Sequence, residues 1–176
     1  TDDSVLRQTS ARLPWLLIGM LGGIGNSMIL GNFDTTFAAH PEMALYIPLI
    51  GGTGGNVGTQ SSALVVQGLA NSSLDANNTW KQILKESVVA LINATIISML
   101  VYIYNFVRFG STATVSYSVS LSLFAVVMFA SIFGTLVPMT LEKLKIDPAI
   151  ATGPFISITN DIIGMMLYMG ITVLLS

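Results

Sequence analysis

Charged residues are scarce in this chain, and cysteine is absent. Only 9% of its 176 residues are charged, whereas 52% are hydrophobic. A soluble domain carries about 25% charged residues, so this chain lacks the polar shell that a globule needs in water. The absence of cysteine excludes disulfides, thiol catalysis and cysteine-based zinc sites. A single histidine, His40, excludes a multi-histidine metal cluster, and the net charge of −2 gives no reason to expect nucleic acid as a partner.

The apolar stretches predict an all-α membrane protein with five transmembrane helices. Each stretch supplies roughly the 20 residues that cross about 30 Å of hydrocarbon as a helix. The runs lack the strict alternation of a membrane β-barrel. We predict spans at about residues 13–33, 43–70, 87–107, 115–141 and 148–175.

The basic residues predict the orientation of these spans. If the five spans alternate, one side of the membrane receives Arg7, Arg12, Lys81, Lys85, Lys143 and Lys145. The other side receives only Arg108. Because cytoplasmic loops carry the excess of Lys and Arg, we predict a cytoplasmic N-terminus and an external C-terminus.

Asp161 is an acid inside the last apolar span, with no Lys, Arg or His between Pro148 and Ser176. A carboxylate at membrane depth costs about 3 kcal/mol or more and is tolerated where it faces water, an ion or a partner. We therefore interpret Asp161 as a residue that handles cations. The alternatives are a wet position near the end of the helix and a neutral carboxyl hydrogen-bonded to a neighbouring helix.

The second span is rich in glycine and contains PLIGGTGGNVGTQSS at residues 48–62. Each glycine costs about 1 kcal/mol relative to alanine in a helix, so this segment is predicted to kink or unwind. Unwound backbone would expose carbonyls that, with Asn56, Thr59 and Gln60, are hard oxygen ligands. The structural alternative is close helix packing through two small-residue patterns, Gly51-x-x-x-Gly55 and Gly54-x-x-x-Gly58.

Other small and polar residues in the spans are predicted to pack helices together. In the first span, the pattern Gly19-x-x-x-Gly23, with Gly22 and Gly25 beside it, is expected at a helix–helix contact, with Asn26 and Ser27 as hydrogen-bonding residues. Asn93, Thr95 and the alternate serines of residues 116–122 are also expected in packing contacts. His40 is expected to be a solvated loop residue.

Two segments resemble the MgtE family of magnesium channels. GGTGGNVGTQSSALVVQGLA in the second span is similar to the family's glycine-rich signature. DPAIATGPFISITNDIIGMMLYMG is similar to its last transmembrane helix. The resemblance extends over essentially the whole chain. It implies that residues 13–176 are a five-helix transmembrane pore domain, that residues 1–12 end a cytoplasmic connecting segment, and that the full-length protein carries cytoplasmic regulatory domains.

The resemblance also implies a homodimer whose pore lies at the interface, lined by the second and fifth helices. It implies Asp161 as the central metal-binding carboxylate. Gly55, Asn56 and Ser157 are implied as the surrounding pore lining. These four residues are the predicted metal site.

The residues depart from the family pattern at two positions. Gly153 stands where some members carry an asparagine near the cytoplasmic mouth, which puts a side-chain gate there in doubt. Asn160, directly before the acid, replaces a small hydroxyl residue. It either adds a ligand or points away from the ion.

The chemistry of the acid suits a hydrated divalent cation. Mg²⁺ gives up water reluctantly and is usually held by one or two carboxylates. A single Asp161 in each subunit, doubled by two-fold symmetry, would supply two carboxylates. Mg²⁺ is therefore the predicted cargo, and Mn²⁺ or Co²⁺ would also accept oxygen ligands.

We predict a divalent cation channel, or a channel-like transporter, in the cell membrane. The chain is not expected to be an enzyme, because the spans hold neither an HExxH motif nor paired acids. The alternative is an ion-coupled secondary transporter that uses Asp161 as its coupling site. The absence of a repeated half in the sequence weakens the case for a monomeric carrier.

The predicted topology can be tested by cysteine labelling, since the chain has no native cysteine. A cysteine at Ser73 should react with an impermeant maleimide from the cytoplasmic side, and one at Ser176 from outside. Three crossings separate these positions in the predicted topology. Labelling of both from one face would contradict it.

Overall fold

The computed structural model describes residues 2–110, 114–149 and 153–175, which form helices joined by turns and short connections. Two 3-10 helices, Pro41–Tyr46 and Ala76–Asn78, precede the third and fourth α-helices. The prediction of an all-α protein is confirmed. The α-helices in chain order are α1 (Asp2–Gly31), α2 (Asp34–Ala39), α3 (Ile47–Ala70), α4 (Thr79–Phe109), α5 (Thr114–Lys143) and α6 (Pro154–Leu175).

In the described part of the chain, four helices are long and apolar enough to cross a membrane. They correspond to Ser4–Gly31 of α1 and to the whole of α4, α5 and α6. Helix α3, at 24 residues, is also long enough, but its glycines and polar side chains make it less apolar than the other four. The count of five crossings therefore stays a prediction.

The ends of the helices differ from the predicted spans in two places. Helix α1 begins at Asp2, so residues 2–12 continue the first span as helix. Helix α6 begins at Pro154, six residues after the predicted start at Pro148. Residues 150–152 and Ser176, which belong to the predicted last span, lie outside the described residues.

The glycine-rich segment is helical throughout, so the prediction that it unwinds is wrong. Helix α3 runs without interruption from Ile47 to Ala70. The Thr59 hydroxyl donates to the Gly55 carbonyl at 2.9 Å and lies 3.2 Å from the Asn56 carbonyl. Helix propensity is a weak constraint that tertiary packing overrides, and α3 packs against both α5 and α6. Its carbonyls are therefore engaged within the helix instead of being free as ion ligands.

The glycines of α3 and α5 allow their backbones to approach closely. A Cβ atom built on Gly134 of α5 would lie only 2.6 Å from the Gly58 carbonyl oxygen. A Cβ on Gly54 would lie 2.8 Å from Cγ1 of Val126. The packing interpretation of Gly54-x-x-x-Gly58 is thus confirmed, because any side chain at these positions would push the helices apart.

The predicted contact at Gly19 and Gly23 is absent within the described part of this chain. A Cβ atom at either position would meet nothing within 4 Å. Gly22, beside this pattern, does make the predicted kind of contact, since a Cβ there would lie 2.6 Å from Cγ2 of Ile158 in α6. The Asn26 side-chain oxygen is buried without a hydrogen-bond partner in the described structure, so it does not form the predicted bond between helices.

Helix α5 is the most buried of the four membrane helices, and α1 is the least buried. The serines of residues 116–122 all point into the protein, as predicted, whereas Asn93 and Thr95 are exposed on α4. Near the end of α6, the Tyr168 hydroxyl donates to the Met43 carbonyl at 2.9 Å. This bond joins α6 to the 3-10 helix Pro41–Tyr46, which leads into α3.

We expect Gly134→Ala to destabilise the protein by about 1–3 kcal/mol, because the new methyl group would collide with the backbone of α3. Gly19→Ala is the matched control, in a membrane helix with open space around the position. It should be neutral or stabilising by up to about 1 kcal/mol, because alanine favours helix. Thermal unfolding of the purified variants in one detergent checks this, and equal unfolding temperatures would contradict the close approach.

Candidate functional site

Asp161 is the eighth residue of α6, which places it about 10 Å along the helix from Pro154. Its side chain is half-buried and points toward α3. There Gly51 offers bare backbone, and a Cβ atom on Gly51 would lie 3.7 Å from the Asp161 Oδ1 atom. The absence of a side chain on Gly51 therefore leaves space directly beside the carboxylate.

The Asp161 carboxylate has no ion pair or hydrogen bond within the described part of the chain. The one salt-bridge contact found among the described residues is a distant pair, His40 and Glu42, at 3.9 Å. The alternative of a carboxyl hydrogen-bonded to a neighbouring helix is therefore not what the structure shows, and the acid remains available to a ligand.

Helices α3 and α6 are antiparallel, which fixes the level of each predicted site residue. Gly58 faces Ile156 and Asn160 near the start of α6, while Gly51 faces Asp161 and Met165 farther along it. Because Gly55 is one turn from Gly51 and Ser157 is one turn from Asp161, both lie toward the same end of the bundle.

The four predicted site residues do not all share one face. Asp161 and Ser157, four residues apart on α6, are both partly exposed. A Cβ atom built on Gly55 would meet nothing within 4 Å, so Gly55 borders open space. Asn56 is exposed, and it is turned about 100° away from Gly55 around the α3 axis. The structure thus brings α6 and the Gly51–Gly55 edge together and leaves Asn56 on the outer surface of the monomer.

Asn160 points away from the acid, which decides between the two alternatives for this residue. Its side chain is 1% exposed and contacts Gly58. Neither of its amide atoms has a hydrogen-bond partner among the described residues. Gly153 lies in the turn before α6 and borders an open cavity of about 630 Å³ that Arg12 and Asp147 also line.

The opposite end of the molecule carries His40, the predicted loop residue, and two acids near it. His40 lies 3.9 Å from Glu42, and Asp34 is exposed at the start of α2. Three or more acidic or histidine side chains that could jointly hold a metal ion do not occur together in the described residues. A cation at Asp161 would therefore need ligands other than further acids of the same chain.

Glu86 is a second acid inside one of the four long apolar helices, and the sequence analysis did not single it out. It is the eighth residue of α4 and accepts a hydrogen bond from the Ser61 hydroxyl of α3 at 2.9 Å. The signal was present in the sequence, since an acid lies one residue before the predicted start of the third span at Ser87. Because α4 begins as early as Thr79, Glu86 is inside the helix instead of at its end.

These features define the class of protein. It is a multi-pass α-helical membrane protein with an unpaired carboxylate between two packed helices. Residues 47–171, which include the whole of α3 and the residues around Asp161, match the family model MgtE, described as a divalent cation transporter.

The chain is similar to three bacterial proteins named magnesium transporter MgtE. It is 33% identical to that of Bacillus subtilis over 160 residues, which are 91% of this chain and 35% of the relative. It is 33% identical to that of Thermus thermophilus over 165 residues, 94% of this chain and 36% of the relative. It is 30% identical to that of Enterococcus faecalis over 170 residues, 97% of this chain and 37% of the relative.

The chain belongs to the MgtE family of divalent cation transporters. The resemblance found in the sequence is confirmed, as is the expectation of a multi-pass protein of the cell membrane. The relatives are transporters and not enzymes, in agreement with the sequence analysis. The chain spans only about a third of the length of these relatives.

Proposed function

We propose that this chain conducts Mg²⁺ past Asp161 through a pore between two copies of the chain. The observation that carries the proposal is the half-buried Asp161 carboxylate, which lacks a partner among the described residues and faces the bare backbone of Gly51. An acid kept at membrane depth without a counter-charge is favoured where a cation occupies the space beside it.

A dimer would supply what one chain lacks. The described residues offer one acid at this site, and no cluster of three potential metal ligands. Two-fold symmetry would place a second Asp161 across the pore. The exposed side of α3, with Gly52 and Asn56, is then the part of the helix that borders the partner and the pore. In this arrangement Gly55 and Ser157 belong to the pore lining, both on the same side of the acid along the helix axes.

The ion is proposed to pass largely hydrated. Mg²⁺ requires nearly ideal octahedral geometry and dehydrates reluctantly. Since α3 is an unbroken helix, its carbonyls are not free to replace the waters of the ion. Two carboxylates acting through bound water would hold the charge without stripping the shell. Mn²⁺ and Co²⁺, which also accept oxygen ligands in octahedral sites, are proposed as competing ions.

The topology proposed with this function has five crossings, a cytoplasmic N-terminus and an external C-terminus. Helix α3 would be the second crossing along the chain and would bring the count from four to five. Its lower hydropathy fits a helix that faces water in a pore more than lipid. Cytoplasmic regulatory domains in the full-length protein are part of the same proposal, since the relatives are about three times as long.

An ion-coupled carrier is the second candidate, because an unpaired intramembrane acid is also the usual site of proton or sodium coupling. The same observation at Asp161 supports it. The two candidates differ in whether Mg²⁺ movement needs a co-ion gradient.

Asp161→Asn should reduce Mg²⁺ uptake into proteoliposomes to the level of empty liposomes. Its unfolding temperature should stay equal or rise, because the change removes a charge that is costly at membrane depth. Glu142→Gln is the matched control, since Glu142 is an exposed acid at the end of α5 and should not affect uptake.

Uptake should persist without any proton or sodium gradient if the protein is a channel. Uptake that requires such a gradient, but still depends on Asp161, would favour the coupled carrier. Normal uptake by folded Asp161→Asn would overturn both candidates.

Gly55→Val and Gly58→Val should distinguish a glycine that lines the pore from a glycine that packs helices together. Gly55 borders open space, so Gly55→Val should keep the unfolding temperature and lower Mg²⁺ uptake by narrowing the pore. Gly58 packs against α5 and α6, so Gly58→Val should destabilise the fold by about 1–3 kcal/mol. Uptake and thermal unfolding measured on both variants check this, and full uptake by Gly55→Val would argue against a lining role.

A further inference from the structure

A cavity with a mixed polar and apolar lining lies between α3, α4 and α5, away from Asp161. It measures about 310 Å³. Its walls carry five side chains that bear oxygen, together with apolar residues around them. The oxygen-bearing residues are Gln60, Ser61, Glu86, Asn93 and Ser131.

Glu86 is the one acidic side chain among the residues that line this cavity. Its Oε1 atom accepts from the Ser61 hydroxyl at 2.9 Å, and no other hydrogen bond to the carboxylate occurs among the described residues. No basic side chain of the described structure forms an ion pair with it. The second carboxylate oxygen is therefore left without a partner in this part of the chain, although it lies inside a helix that is apolar enough to cross the membrane.

The cavity is separate from the site at Asp161. Gly51, which faces Asp161, and Ser61, which binds Glu86, are ten residues apart on α3. That separation corresponds to about 15 Å along the helix axis. Ser61 also lies on a different side of α3 from Gly51, turned by about 80°.

We infer that this cavity is a second binding site for a hydrated divalent cation, with Glu86 as its charged acceptor and Gln60, Ser61 and Asn93 as acceptors for the waters of the ion. The inference goes beyond the proposed conduction past Asp161 and does not depend on it.

The size and the donor set of the cavity indicate a hydrated ion more than a bare one. A water occupies about 30 Å³ of liquid volume, so the cavity has room for an ion with its first shell of water. One carboxylate and neutral amide and hydroxyl oxygens are too few to replace the whole shell of Mg²⁺, which ordinarily keeps several waters. Amide and hydroxyl groups are, however, good partners for bound water.

The test uses Mn²⁺ as a paramagnetic probe on the whole chain in nanodiscs of phosphatidylcholine, which carry no net charge. Asp161→Asn serves as the background, so that the site proposed for conduction contributes nothing. Free Mn²⁺ is measured by electron paramagnetic resonance during titration. We expect a single saturable site per chain that Mg²⁺ displaces and that potassium does not.

Adding Glu86→Gln to this background should weaken Mn²⁺ binding by about 10-fold or more, and Ser61→Ala should weaken it less, because Ser61 acts through its bond to the carboxylate. Glu142→Gln should leave binding unchanged. If Glu86→Gln fails to fold, as seen by gel filtration, Ser61→Ala and Glu86→Asp decide. Weaker binding by these folded variants supports the site.

Three results would overturn the inference: no saturable Mn²⁺ binding in the Asp161→Asn background, binding that the Glu86 and Ser61 variants leave unchanged, or displacement by potassium as readily as by Mg²⁺. Because binding is measured without flux, each result is independent of whether Asp161→Asn abolishes uptake.

Discussion

The rest of the structure depends on the close backbone contact between α3 and α5. Gly58 and Gly134 meet so closely that a Cβ on Gly134 would lie 2.6 Å from the Gly58 carbonyl oxygen. In a bilayer, helices gain little by burying apolar surface from lipid, so association relies on close packing, and small residues permit it. With α3 held against α5, α6 packs onto both helices, and the level of Asp161 against α3 is set by this arrangement.

The glycines of α3 lie on two different sides of the helix. On one side, Gly54 and Gly58 are filled by Val126 and Asn160 of the neighbouring helices. On the other, Gly51 and Gly55 border the space beside Asp161. Glycine thus serves close packing on the first side and leaves space beside a carboxylate on the second.

Asp161 and Glu86 both lie inside membrane helices, and α3 connects their surroundings. Asp161 faces the Gly51 edge, and Glu86 is bonded to Ser61 about 15 Å farther along the same helix. A cation at either acid would compensate a charge that is costly at membrane depth. A shift of α3 would change both environments together, because one helix contributes to each.

The sequence by itself determined the class of protein, the positions of the long helices and the family. A chain with so little charge and such long apolar runs is stable only as a helical membrane protein. The two ordered motifs around Gly55 and Asp161 resemble the family signature, and the family model matches residues 47–171. The serines of residues 116–122 were also placed correctly in the interior. These features depend on local composition and order along the chain, which the sequence states directly.

Only the tertiary structure decided how the glycines and polar side chains are used. Propensity alone favoured an unwound α3, yet packing against two helices keeps it helical. Spacing alone could not distinguish Gly22, which contacts Ile158, from Gly19 and Gly23, which contact nothing within the described part of this chain. It could not orient Asn160 toward Gly58 or pair Glu86 with Ser61 either. Such contacts join residues far apart in sequence, and the rotation of each helix about its axis is fixed by its neighbours.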